Sequence, residues 1–154
     1  MNTTEIKKED LSNSSLISDK LESIFEGQKE LMKDNKKIAE EHYRKVFGKE
    51  IEIPEEVWEG KEENLHTKIG NFLIKDMLDA SMHELSETVQ TMKSWKAWKQ
   101  TEIMTDVNHW KEEAVDSLHF FIEAMIFAGI TAEELHELYF KKHAVNLFRI
   151  KSNY

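Results

Sequence analysis

The chain of 154 residues contains no cysteine, which excludes disulfides and thiolate metal sites and leaves oxygen and imidazole as the only ligands for a metal. It holds one proline and five glycines, too few turn residues to punctuate a sheet of short strands. No apolar run approaches the roughly 20 residues that span a bilayer, and the opening MNTTEIKKEDLSNSS lacks the apolar core of a signal peptide, so no membrane association and a cytoplasmic location are expected. No Lys/Arg cluster stands out against a formal charge of −9, from 21 Lys+Arg and 30 Asp+Glu, which argues against duplex nucleic acid as a partner. Neither a Ser/His/Asp arrangement nor a glycine-rich phosphate loop is present, so nucleophilic catalysis by a side chain is not suggested.

What is present is helix-forming: Glu, Lys, Leu, Met and Ala dominate, and the expected fold is an all-α bundle of four main helices. Residues 1–15 read as a polar, flexible lead-in and 16–154 as a single domain. A first helix is expected over about Ser18–Val46, with Leu21, Ile24, Phe25, Leu31, Ile38 and Val46 returning to one face that also carries Gln28. Gly48, Pro54 and Gly60 break the pattern into a loop with room for a short helical turn. A second helix, about Glu63 to Trp98, has a stripe of Leu65, Ile69, Phe72, Leu73, Met77 and Ala80. A third, His109 to Ala128, is apolar on nearly every side in LHFFIEAMIFA. Gly129 is placed to end it and Thr131 with Glu134 to cap a fourth, which implies that the third and fourth helices pack antiparallel.

Carried on by three and four residues, the second stripe lands on Glu84, Glu87 and Thr91, and Glu113 and Asp116 repeat the acid-x-x-acid spacing at the start of the third helix. An isolated acidic pair is common in so acidic a chain and is ordinarily a solvated turn. Two such pairs brought to one small core need a divalent cation or partial protonation. On the fourth helix Lys142, Asn146 and Arg149 recur on one face, suited to clamping an anion, or simply to a helix C-terminus, where cations are favourable. Lys96 lies between Trp95 and Trp98, either reaching a phosphate from an aromatic bed or snorkelling from core tryptophans. Gln28 offers an amide donor and acceptor to a base edge, or to a neighbouring helix. Glu63-x-x-His66 and Glu133-x-x-His136 have di-iron spacing, but the second pair falls off its helix stripe and Glu63 opens its helix.

HELSETVQTMKSWKAW resembles the E-L-x-E-L-x-N-E-x-x-x-F-K-x-W segment of the all-α dimeric dUTPases, and EEAVDSLHFF resembles their E-E-x-V-D-x-L-H-F segment. GITAEELHELYFKKHAVNLFRIKSNY is similar to the ending of the same group, within the MazG-like nucleotide pyrophosphohydrolases and most closely the phage-encoded dCTP/dUTP pyrophosphatases, which for a phage protein would mean the host cytoplasm. The resemblance implies Mg²⁺, or Mn²⁺, on Glu84, Glu87, Glu113 and Asp116. It implies phosphate contacts from Lys96, Lys142, Asn146 and Arg149, and a base contact from Gln28. Implied with these are a pyrimidine deoxynucleoside triphosphate as substrate, cleavage to monophosphate and pyrophosphate, Glu84 as the base that takes a proton from water, and a homodimer. Met32, Thr88, Gln90 and Ile150 depart from the family pattern. Met32, in place of a polar residue, suggests a more apolar base pocket that admits dCTP, dTTP or a 5-substituted pyrimidine beside dUTP. The alternative from another class is a catalytically weak helical protein that binds nucleotides or partners.

Overall fold

The computed structural model describes residues 19–50 and 52–152; the expected lead-in over residues 1–15 lies outside them. The described residues form helices and no strands. Four helices are long: α1 (Lys20–Phe47), α3 (Lys68–Thr91), α4 (Val107–Phe127) and α5 (Ala132–Lys151), with the single turn α2 (Glu55–Trp58) between the first two. A 3₁₀ turn, Glu62–His66, precedes α3 and another, Lys93–Trp95, follows it.

Each long helix begins where a side chain satisfies its free backbone donors. Asp19 accepts from the amides of Leu21 and Glu22, Thr67 from Gly70, Asp106 from Asn108 and His109, and Thr131 from Glu134. Gly129, at φ 76, makes the expected left-handed exit from α4.

The heart of the bundle is α3 against α4, with α1 laid across α4. At the α3/α4 crossing Ser81 and Ser117 are buried and each hydroxyl bonds the other's carbonyl, at 2.9 and 3.1 Å. Phe25, Met32 and Tyr43 of α1 meet Leu73 and Ile74 of α3 and Ile122, Ile126 and Phe127 of α4 in the core. The loop between α1 and α3 is fastened to the C-terminal end of α4: Trp58 packs edge-on against Phe127 at 5.2 Å, and the fully buried Asn64 donates to the carbonyls of Val57 and Phe127 at 2.9 and 2.8 Å. Phe127 is 14 residues beyond Glu113, about 21 Å of helix at ~1.5 Å per residue. The loop is therefore anchored far from the acidic pairs.

Four expectations need correction. The buried stripe of α1 is Phe25, Gln28, Met32 and Tyr43, while Ile24, Leu31, Ile38 and Val46 are exposed; the apolar arc is wider than the surface available to cover it. The second helix stops at Thr91 rather than Trp98. Thr88 and Thr91 turn their hydroxyls onto the carbonyls of Glu84 and Thr88, at 2.9 and 2.7 Å, a local competition that weakens a helix end rich in β-branched residues. Trp95 and Trp98 are thus not core: they are 52 and 72% exposed. Finally, α5 does not run back along α4 but turns by 105° from it, since a short link limits distance and not direction. It meets α1, and from His136 onward its described side chains are exposed.

Candidate functional site

The serine pair at the crossing sets the register that brings the acidic turns together. Glu84 and Glu87 lie one and nearly two turns beyond Ser81 on α3, and Glu113 one turn before Ser117 on the antiparallel α4. Glu84, Glu87 and Glu113 each bring a carboxylate oxygen within 4.8 Å of the others, all half-buried. Asp116 is exposed and stands outside that group, yet its charge reaches it. Burial raises the Glu84 carboxyl above its ordinary value, with Glu87, Asp116 and Glu113 adding in that order and His83 opposing. Three hard oxygen donors that repel one another when empty fit a hard divalent cation such as Mg²⁺ or Mn²⁺.

A cavity of about 760 Å³ opens beside these carboxylates, lined by His83, Glu87, Gln90 and Thr91 of α3, Lys93, Ile103, Met104 and Asp106 of the link, and His109 and Glu113 of α4. Two histidines back the acids one turn away on the same helix: His83 Nε2 is 3.0 Å from Glu87, and His109 Nδ1 is 3.4 Å from Glu113. Lys93 is the cation on the cavity wall. These residues were missed in the sequence, although histidine four before glutamate, twice, on the same turns as the acid pairs was a readable signal.

Lys96 stands outside the cavity lining, its ammonium over the Trp95 ring at 5.7 Å, with Trp98 edge-on to Trp95 at 5.8 Å. These residues ride on a loop closed at its neck by Ser94, whose hydroxyl accepts from the Ile103 amide at 2.8 Å and donates to its carbonyl at 2.9 Å. Lys142, Asn146 and Arg149 lie on the exposed length of α5 and do not line the cavity. Gln28 is buried, held by Glu123 and His119 of α4. Met32, one turn on, is in the core.

The helical bundle thus gathers carboxylates from two antiparallel helices beside a cavity. The model of the dUTPase family matches residues 20–128, and the chain belongs to that all-α family. The match covers α1 through α4, including every residue of the carboxylate group and the buried Gln28. No curated protein and no solved structure matches the chain. The family hydrolyses dUTP, a nucleoside triphosphate pyrophosphatase reaction, and its members are typically dependent on a divalent metal.

Proposed function

We propose that this chain hydrolyses dUTP, and with it dCTP or dTTP, to the monophosphate and pyrophosphate with Mg²⁺ as cofactor and Mn²⁺ able to replace it. The observation that carries this reading is the approach of Glu84, Glu87 and Glu113 to within 4.8 Å at the edge of a cavity large enough for a triphosphate. In this reading those three hold the cation, with Asp116 beside them as the fourth carboxylate. Bound there, the ion supplies neutralisation of phosphate charge and acidifies water. Glu84, the member with a raised pKa, takes the proton from the attacking water. The phosphates extend into the cavity towards Lys93, and the base lies along α4 towards Gln28. The test is pyrophosphate release from each deoxynucleoside triphosphate with Mg²⁺ and with EDTA. Turnover that survives chelation would remove the carboxylate mechanism.

A homodimer is part of the proposal. Met82, Leu85 and Val89 of α3 and Val115, Leu118 and Phe121 of α4 are exposed and lie on the side of the helix pair turned away from the carboxylates. A patch of this kind on a helix pair is suited to burial against a second copy. A partner chain is also the reading that gives Lys142, Asn146 and Arg149 a route to the phosphates, because α5 carries them away from the carboxylates of its own chain. Leu118→Glu is expected to convert dimer to monomer in sedimentation at micromolar concentration; a wild type that is already monomeric would end this part of the proposal.

A further inference from the structure

The most deeply buried polar side chain of α1 belongs to neither the carboxylate group nor the cavity. Gln28 is 3% exposed, and its amide is held at both ends: Nε2 donates to Glu123 at 2.9 Å, and Oε1 lies 2.8 Å from His119 Nδ1. An amide oxygen only accepts, so Nδ1 of His119 must carry the proton, and in the neutral ring Nε2 is then an acceptor. His119 is exposed as a residue, while Gln28 is sealed behind it. The side chain that a ligand can reach is therefore the histidine.

The position suits a base. His119 and Glu123 follow Asp116 by three and seven residues on one face of α4. From Glu113 to His119 is six residues, about 9 Å of helix at ~1.5 Å per residue, the scale of a deoxyribose between α-phosphate and base.

Resting on the nucleotide-hydrolase reading, we propose that His119 is the residue that discriminates pyrimidines, with Gln28 and Glu123 as positioning residues that fix which of its nitrogens carries the proton. With Glu123 ionised, the carboxylate only accepts and holds Nε2 of Gln28 towards itself. His119 then offers an acceptor at Nε2, matched to the N3–H of uracil or thymine and opposed to the lone pair on N3 of cytosine. When Glu123 takes a proton from solvent, its hydroxyl needs an acceptor. The amide turns over so that Oε1 accepts from Glu123 and Nε2 donates to His119 Nδ1. The ring proton moves through solvent from Nδ1 to Nε2, which becomes a donor matched to N3 of cytosine.

Glu123 is placed to change state near neutrality. Burial pushes its carboxyl up to about 7, the Gln28 hydrogen bond opposing and the charge of Asp76 adding. Asp76 on α3 in turn accepts from the Tyr43 hydroxyl of α1 at 3.1 Å; among the described residues these two, and His119 joined through Gln28, are titratable groups that face Glu123.

Two measurements test this. Histidine-ring ¹⁵N NMR of the free protein should find His119 as the Nδ1–H tautomer at pH 8, with Nε2–H gaining among the neutral rings as Glu123 takes its proton, and Glu123→Gln should abolish that change of tautomer. The ratio of kcat/KM for dUTP over dCTP should fall roughly tenfold between pH 8 and pH 6 and fall less in Glu123→Gln; the two substrates share their phosphates, so the metal site cancels in the ratio. A tautomer that follows Glu123 while the ratio stays constant in an active enzyme overturns the role of His119 as reader. A slope as steep in Glu123→Gln as in the wild type overturns the relay. An intact tautomer equilibrium in a protein that turns over no nucleotide with Mg²⁺ or Mn²⁺ defeats the hydrolase reading, and base discrimination with it.

Discussion

Replacing Glu84 with Gln is expected to lower kcat by about 10²–10⁴-fold, the range supplied by a positioned proton acceptor, without unfolding the protein. The substitution keeps shape and removes charge. In the metal-free protein Glu84 meets the charges of Glu87, Asp116 and Glu113, which together with burial raise its carboxyl. A raised carboxyl contributes stability that is present below its ordinary pKa and is lost as pH rises through the folded value. In EDTA, thermal unfolding of the wild type should therefore fall more between pH 4 and pH 8 than that of Glu84→Gln, while Mg²⁺ should stabilise the wild type more than the variant. Wild-type turnover in Glu84→Gln would show that another group takes the proton. Absence of turnover in both proteins, with dUTP still bound, would leave the binding-protein alternative standing.

Gly60→Ala should be among the most damaging single substitutions in the chain, at about 4 kcal/mol or more, or about 10 °C in melting temperature for a chain of this size. Gly60 has φ +89, and a Cβ there would stand 1.8 Å from the Ile126 carbonyl oxygen. That oxygen belongs to the last turn of α4, so neither side can give without moving the helix end that Trp58 and Asn64 also grip. Gly48→Ala is the control: φ is +66 and nothing lies within 4 Å of the added carbon. It should cost about 1 kcal/mol, the conformational part alone. Equal losses in the two variants, read by denaturant unfolding, would mean that the close approach at Ile126 contributes nothing.

The caps and glycines that start and stop the helices were legible because their effects are local: Thr131 and Gly129 act within a turn of themselves. The acidic pairs were legible in part: periodicity put Glu84 and Glu87 on an inward face, and the repeated spacing paired them with Glu113 and Asp116, of which Asp116 came out exposed. What sequence could not supply was direction. A four-residue link allows α5 to fold back or to swing away, and the choice rests on what α1 offers it. The end of α3 was hidden because Thr88 and Thr91 satisfy a helical pattern while their hydroxyls compete with it. Glu123 left a trace that went unread, a single acid inside LHFFIEAMIFA, four residues after a histidine on the same face.

The hydroxyl pair of Ser81 and Ser117 has a consequence for how the cation would be taken up. Carboxylates that repel one another cannot set their own spacing, and a flexible site would spring apart whenever the ion left. Here the spacing is imposed by two neutral side chains one turn away, each locked to the other helix's backbone. The electrostatic strain is thereby charged to folding rather than to binding, and an ion would meet a site already gathered, with little ordering left to do on arrival.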